Sequence, residues 1–173
     1  MTYPVSEDTL FFKQHLEKLD LEGKKLLEVG TGSGELAIRA AQRGAKVTAL
    51  DKNPESVEKV KERAGNEEVE LEVVRSDLLG EVEGCFDFIL FNPPYLPGKR
   101  EGDSDPLVGG KKGIELTEKF IEQARKYLTK NGEIYFIGSS LADLESLESK
   151  FEVERVDETR LWFETLVLYR RST

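Results

Sequence analysis

Short apolar runs alternate with segments of helical period along nearly the whole chain, and this alternation restricts the fold more than any other feature. A strand, a helix and a second strand return to one sheet by a right-handed crossover, so repeated alternation builds a parallel sheet covered on both faces. The strand candidates are 24–29 (KKLLEV), 45–50 (AKVTAL), 69–74 (VELEVV), 86–91 (FDFILF) and 132–138 (GEIYFIG). Helical period marks 7–19, where Phe12, Leu16 and Leu19 share a face, the small-residue segment 34–44, then 53–65, and 114–128 through Ile114, Ile121 and Leu128. Asn53 and Pro54 stand at the cap and first helical positions, with Gly44 and Gly65 at the stops. A short helix near 140–149 precedes two more strands, 151–156 and 161–170, with no helix between them. These predict a hairpin. The expectation is one α/β domain over residues 1–173: a doubly wound, mostly parallel seven-stranded sheet with one antiparallel strand in a C-terminal hairpin.

Composition narrows the function. The formal net charge of −9 weighs against a chain that works mainly on nucleic acid, whose phosphates call for a basic face. No run reaches the length of a membrane span and no signal-peptide pattern opens the chain, so a cytoplasmic location is expected. One cysteine, Cys85, excludes an internal disulfide, and with a single histidine, His15, no metal cluster of the usual spacing is available. Cys85, at the edge of a strand, reads as a packed thiol, and His15 as a helix-surface residue.

In such a sheet, ligands bind at the carboxyl ends of the strands. The first strand ends in LEVGTGSGEL, with Gly30, Gly32 and Gly34 leading into a helix. Glycine allows both the sharp turn and the close approach of a ligand to the backbone. Asp51 ends the second strand, where a carboxylate can accept both ribose hydroxyls of an adenosine. The spacing is G-x-G-x-G rather than the dinucleotide G-x-G-x-x-G, and no Walker lysine is present. Glu28 would repel a pyrophosphate but could pair with a cationic amino group. After the third strand, Asp77 and Leu78 could meet an adenine, one by hydrogen bond and one by packing. Together these favour S-adenosylmethionine.

The fourth strand ends in FNPPY, Phe91 to Tyr95. Two prolines remove two backbone donors and stiffen the chain. The Asn92 side-chain oxygen and the Pro93 carbonyl can accept the two N–H bonds of a planar nitrogen group, Pro94 helps to fix the carbonyl direction, and Tyr95 can pack on the planar face. An amide or aromatic amine is a poor nucleophile because its lone pair is delocalised. It must be held in line while positive charge grows on nitrogen. No shifted general base is needed, since the product sheds its proton afterwards.

The glycine loop, Asp51, Asp77 and NPPY resemble the Rossmann-like class I methyltransferases that modify planar nitrogen. More narrowly, nearly the whole chain resembles the HemK-related glutamine methyltransferases that act on the Gly-Gly-Gln loop of class 1 translation release factors, in their short archaeal and eukaryotic form. YPVSEDT resembles the family's Tyr-x-Pro-x-x-Asp-Thr opening, except that Pro4 sits one place early and Val5 takes the usual proline position. VGGKKGIELTEKF resembles its glycine-rich segment after the substrate loop. The resemblance implies that Thr9, Glu28, Gly30, Asp51, Asp77, Leu78 and Asn92 contact the cofactor or frame its site, under an N-terminal helix within 1–20. It implies that Asn92, Pro93, Pro94 and Tyr95 hold the target amide. It also implies a small zinc-ribbon activator on the 69–74 edge strand, along Val69, Leu71 and Val73.

The segment 96–112 is long and carries Lys99, Arg100, Lys111 and Lys112, so it is expected to order over the substrate. Two other readings compete. NPPY serves an exocyclic amine of adenine or guanine in DNA or RNA equally well, but the net charge and the lack of a target-recognition domain oppose it. A non-catalytic module keeping the fold is opposed by intact Asn92 and Asp51.

Overall fold

The computed structural model describes residues 6–98 and 107–173. Tyr3 to Val5, Lys99 and Arg100 lie outside the described residues. The alternation in sequence becomes α1 (Glu7–Leu16), β1 (Lys25–Val29), α2 (Glu35–Gln42), β2 (Lys46–Asp51), α3 (Pro54–Asn66), β3 (Glu72–Arg75) and β4 (Phe86–Phe91). After the short bridge strands β5 (Leu96–Pro97) and β6 (Val108–Gly110) come α4 (Glu115–Ala124), β7 (Leu128–Ser139), α5 (Leu144–Lys150), β8 (Glu154–Arg160) and β9 (Thr165–Ser172).

The main sheet has seven strands in the order β3-β2-β1-β4-β7-β9-β8. All pairings among β1, β2, β3, β4 and β7 are parallel, while β9 runs antiparallel to both β7 and β8. The C-terminal hairpin therefore supplies the one reversed strand that the sequence predicts. Its turn brings β9 back between β7 and β8, so β8 again points the same way as the parallel strands.

Alternation along the strands splits the core into two layers. Leu27, Val29, Ile89, Phe91, Ile134 and Phe136 face Phe120 and Ile121 of α4 and Leu147 of α5. Leu26, Leu90, Tyr135 and Ile137 face Phe12 and Leu16 of α1 and Leu36, Ala37 and Ala40 of α2. At roughly 25 cal/mol per Å² of buried apolar surface, these two layers are the main drive for folding. The small side chains of α2 let it lie close on β1 and β2. Among the described residues no helix is long and apolar enough to cross a membrane.

Several boundaries differ from the sequence reading. Val69 and Leu71 lie before the edge strand, because the chain is still closing α3: Glu68 takes φ 52° and the Val69 N–H donates to the Ala64 carbonyl at 3.0 Å. Asn53 caps α3 by accepting from the Glu55 N–H at 2.9 Å, but the helix runs through Gly65 to Asn66. Leu128 opens β7 instead of ending α4, after a single 3₁₀ turn over Arg125–Tyr127. Cys85 is exposed, because β4 begins one residue later and Cys85 follows Gly84 in a turn where φ reaches 90°. His15 is half-buried rather than on the surface, with its ring 5.0 Å from Tyr135 and its Nε2 buried without a partner among the described residues. Burial, then the nearby Lys18 charge, lowers its pKa, so the neutral ring is favoured.

Candidate active site

The carboxyl ends of β2, β1 and β4 lie side by side, and the first turn of α1 reaches the end of β4. The loop after β1 is shaped by close backbone approach. Gly34 adopts φ 78° as the cap of α2, and a Cβ there would meet Val60 Cγ2 at 2.9 Å. A Cβ on Gly30 would touch the Phe91 ring at 3.4 Å. Asp51 locks this loop to the next one: Oδ2 accepts from the Gly32 N–H and Oδ1 from the Asn53 N–H, both at 2.9 Å. Each carboxylate oxygen keeps a second acceptor direction.

Glu28 lies beneath the loop and is only 4% exposed. Its Oε2 accepts from Thr31 Oγ1 at 2.7 Å and from the Ala37 N–H at 3.0 Å, tying β1 to the first turn of α2. Burial outweighs these two bonds and pushes the carboxyl up to about 8. Asp77 is exposed just after β3. Leu78 is buried in the α4-side layer at φ 52°, a left-handed conformation that non-glycine residues rarely take. Ser76, unnoticed in the sequence, holds that turn: its hydroxyl donates to the Leu78 carbonyl at 2.9 Å and accepts from the Glu81 N–H at 3.2 Å. The serine that opens S-D-L-L is the available signal, since Ser side chains build such turns.

At the end of β4, Asn92 Nδ2 donates to Thr9 Oγ1 at 3.4 Å, while Asn92 Oδ1 is buried with no partner among the described residues. Thr9 and Asn92 are thus brought together. Tyr95 donates its hydroxyl to Asp8 Oδ2 at 3.4 Å, and Asp8 was not singled out from the sequence. Burial, then the Asp8 and Glu164 charges, raises the Tyr95 pKa and keeps the phenol protonated. Pro93 is buried and Pro94 half-buried.

The glycine-rich segment after the motif clamps it from behind. A Cβ on Gly109 would lie 2.3 Å from the Pro94 carbonyl oxygen, and one on Gly113 would lie 2.3 Å from that of Tyr95. No side chain fits at either place. On either side of the undescribed residues, β5 and β6 pair parallel, with Leu96 beside Val108 and Pro97 beside Gly110.

Residues 5–164 match the family model described as Methyltransferase small domain. The chain belongs to this methyltransferase family. A Methanocaldococcus jannaschii protein, provisionally named a protein N5-glutamine methyltransferase, is 35% identical over 96% of this chain and 89% of its own. A release factor glutamine methyltransferase of Deinococcus radiodurans is 32% identical over 66% of this chain, which spans only 45% of that relative's length. Among solved structures, the E. cuniculi Mtq2–Trm112 complex, described as methylating the eRF1 translation termination factor, gives a TM-score of 0.79 at 23% identity, covering 98% of this chain and 96% of that one. That likeness shows the fold of this methyltransferase.

Two predictions follow from the geometry. Gly109→Ala must displace the Pro94 carbonyl, and an ångström-scale shift in a reacting frame lowers turnover by about a hundredfold. Gly65→Ala, where nothing lies within 4 Å, is expected to leave turnover unchanged. Equal rates for both variants in a methyl-transfer assay would refute the clamp. For Glu28, the folded pKa of about 8 exceeds the ordinary 4.5, so the folded chain keeps a proton that the unfolded chain has released. Its contribution to stability is full below the lower value and lost as pH rises toward the upper one. Urea unfolding across that window is expected to show wild type losing stability relative to Glu28→Gln. A difference independent of pH contradicts the assignment.

Proposed function

We propose that this chain transfers a methyl group from S-adenosylmethionine to the side-chain amide nitrogen of the glutamine in the Gly-Gly-Gln loop of a class 1 translation release factor. The observation that carries this reading is the buried, unpartnered Oδ1 of Asn92 at the carboxyl end of β4. Such an oxygen calls for an N–H donor from outside the described chain, because a buried acceptor left unpaired costs about 1–3 kcal/mol.

The residues present fit the cofactor. Gly30 and Gly32 leave backbone accessible at the end of β1, and the free acceptor directions of Asp51 suit paired ribose hydroxyls. Both bonds to Glu28 use Oε2, which leaves Oε1 for the cofactor's amino group, whose positive charge would draw the buried carboxyl back to its ionised form. Asp77 and Leu78 are assigned to the adenine, and Thr9 to the wall formed by α1. S-adenosylmethionine supplies a methyl group activated on a sulfonium. The protein's part is to place the acceptor and stabilise charge. Asn92 Oδ1 and the Pro93 carbonyl accept the two amide N–H bonds and so turn the nitrogen toward the methyl. Tyr95, fixed through Asp8, walls the amide. The carboxylates of Asp8 and Glu164 on the same rim favour the positive charge that grows on nitrogen. The proton is lost to water afterwards.

These acids also weigh against a phosphate-bearing substrate, which supports a protein amide over a base amine. The outer strand β3 leaves one edge of the sheet unpaired among the described residues, and we assign it to a small zinc-ribbon activator. Because β3 spans Glu72–Arg75, the contact assigned here runs along those residues.

Peptide mass spectrometry of the host's release factor, incubated with S-adenosylmethionine and this chain with and without such a partner, is expected to show one added methyl on that glutamine. No added methyl in either case, with methyl appearing in RNA or DNA, overturns the reading. Asn92→Ala is expected to lower kcat by about 10²–10³, with cofactor affinity held within a few-fold by calorimetry. A kcat within a few-fold of wild type removes Asn92 from this role.

A further inference from the structure

The large hydrophobic side chains exposed among the described residues are Leu10, Leu107, Leu141, Trp162 and Phe163. All of them sit at the carboxyl end of the sheet. Leu10 follows Thr9 in α1, and the Leu107 carbonyl accepts from the Leu96 N–H just beyond the Asn-Pro-Pro-Tyr motif at 2.9 Å. Leu141 follows the end of β7. Trp162 and Phe163 form the β8–β9 turn, and β8 ends on the same side as β4 because it runs parallel to it. In register, Phe136 of β7 lies beside Phe91, and Ser139 of β7 lies opposite Leu166 of β9. The turn therefore stands on the rim of the candidate site.

Trp162 is 102% exposed and Phe163 77%. Their backbone is nonetheless held. The Leu161 N–H donates to the Glu164 carbonyl at 2.8 Å, and the Thr165 N–H to Ser140 Oγ at 2.8 Å. The buried Ser139 hydroxyl donates to the Glu164 carboxylate. Two aromatic rings are thus presented to water by an anchored turn. Aromatic side chains on an ordered support are the usual anchors of protein interfaces, because little further entropy is lost on binding. A shallow, open depression of about 520 Å³ lies beside Trp162, lined also by Glu7, Arg160 and Leu161.

The occupant follows from charge and from what the catalytic frame leaves undone. Asn92 and Pro93 grip a single planar group, too small to identify a partner, so recognition must draw on a remote surface. On the side of the rim formed by α1 and the β8–β9 turn, Glu7, Asp8 and Glu164 outnumber Arg160, while Lys111 and Lys112 lie on the other side of the motif. Phosphates are repelled there and cationic side chains attracted. We propose that Trp162 and Phe163, with the depression beside Trp162, dock the folded surface of the protein substrate next to its methyl-accepting loop, where an apolar side chain adjoins a basic one. This rests on the function proposed above and names the contact that would select the substrate.

Trp162 is the chain's one tryptophan, so incorporated fluorotryptophan reports this contact alone. Its fluorine resonance is expected to move and saturate as intact release factor is added. In steady-state methylation, Trp162→Ala/Phe163→Ala is expected to raise KM for intact release factor about tenfold or more, with kcat within twofold. KM for a short Gly-Gly-Gln peptide is expected to stay unchanged. An unmoved resonance at saturating release factor, or an unchanged KM in the double variant, overturns the docking surface while leaving the function in place. Sedimentation showing a dimer that the double variant abolishes, with KM unchanged, assigns the patch to a second copy of this chain instead. A wild-type chain that methylates no release factor overturns the function, and with it the occupant named here.

Discussion

The candidate site depends on how closely separate backbones approach one another at the end of β4. Gly109 and Gly113 press on the carbonyl oxygens of Pro94 and Tyr95 at distances that exclude any Cβ. From the other side, Thr9 of α1 meets Asn92 and Asp8 meets Tyr95. Pro93 and Pro94 have no N–H to give, so the motif cannot extend β4 by ladder bonds. Its carbonyls are left for close-packed glycine on one side and for a ligand on the other. Three parts of the chain, far apart in sequence, must be in place before the frame has its shape, and a large core holds them there.

The two halves of the site are built on opposite terms. On the cofactor side, the glycine loop is held by Asp51 from above and Glu28 from below, and the donors of Gly32, Asn53, Thr31 and Ala37 are all engaged. On the acceptor side, Asn92 Oδ1 is buried and unpaired. Satisfied donors make a loop that does not reorganise when it binds. An unsatisfied acceptor makes a position whose energy improves only when the correct donor arrives. The second arrangement discriminates more sharply, because a ligand lacking the N–H leaves a buried group unpaired.

Much of this was legible in the sequence, and what was not has a physical reason. The strand–helix alternation, the reversed hairpin strand, the cap at Asn53 and the position of Asn-Pro-Pro-Tyr are all coded locally, by period, by capping and by proline. Tertiary contacts decided the rest. Val69 and Leu71 have strand-like alternation, yet the Val69 N–H is taken by the end of α3. Leu128 continues the apolar period of α4, but its backbone is drawn into the sheet opposite Phe86. His15 is polar and was assigned to the surface, whereas the position of Tyr135 beneath α1 half-buries it. Asp8 and Gly109 were adjacent to, or inside, segments noted for resemblance. Their contacts with Tyr95 and Pro94 cannot be inferred from spacing, because they depend on where α1 and β6 pack against the end of β4.

Charge supplies what the frame lacks. A planar group with two N–H donors describes a glutamine amide and an adenine amine equally, so Asn92 and Pro93 alone cannot separate them. The field around them can. A sulfonium, the cation growing on nitrogen and a basic protein surface are all favoured by the carboxylates of Glu7, Asp8 and Glu164, whereas a nucleic-acid backbone is opposed by the same groups. In the function proposed here, one set of acids serves the chemistry and the choice of partner together. The anchored, exposed Trp162 and Phe163 stand within that field, where apolar contact adds affinity without relaxing the discrimination against phosphate.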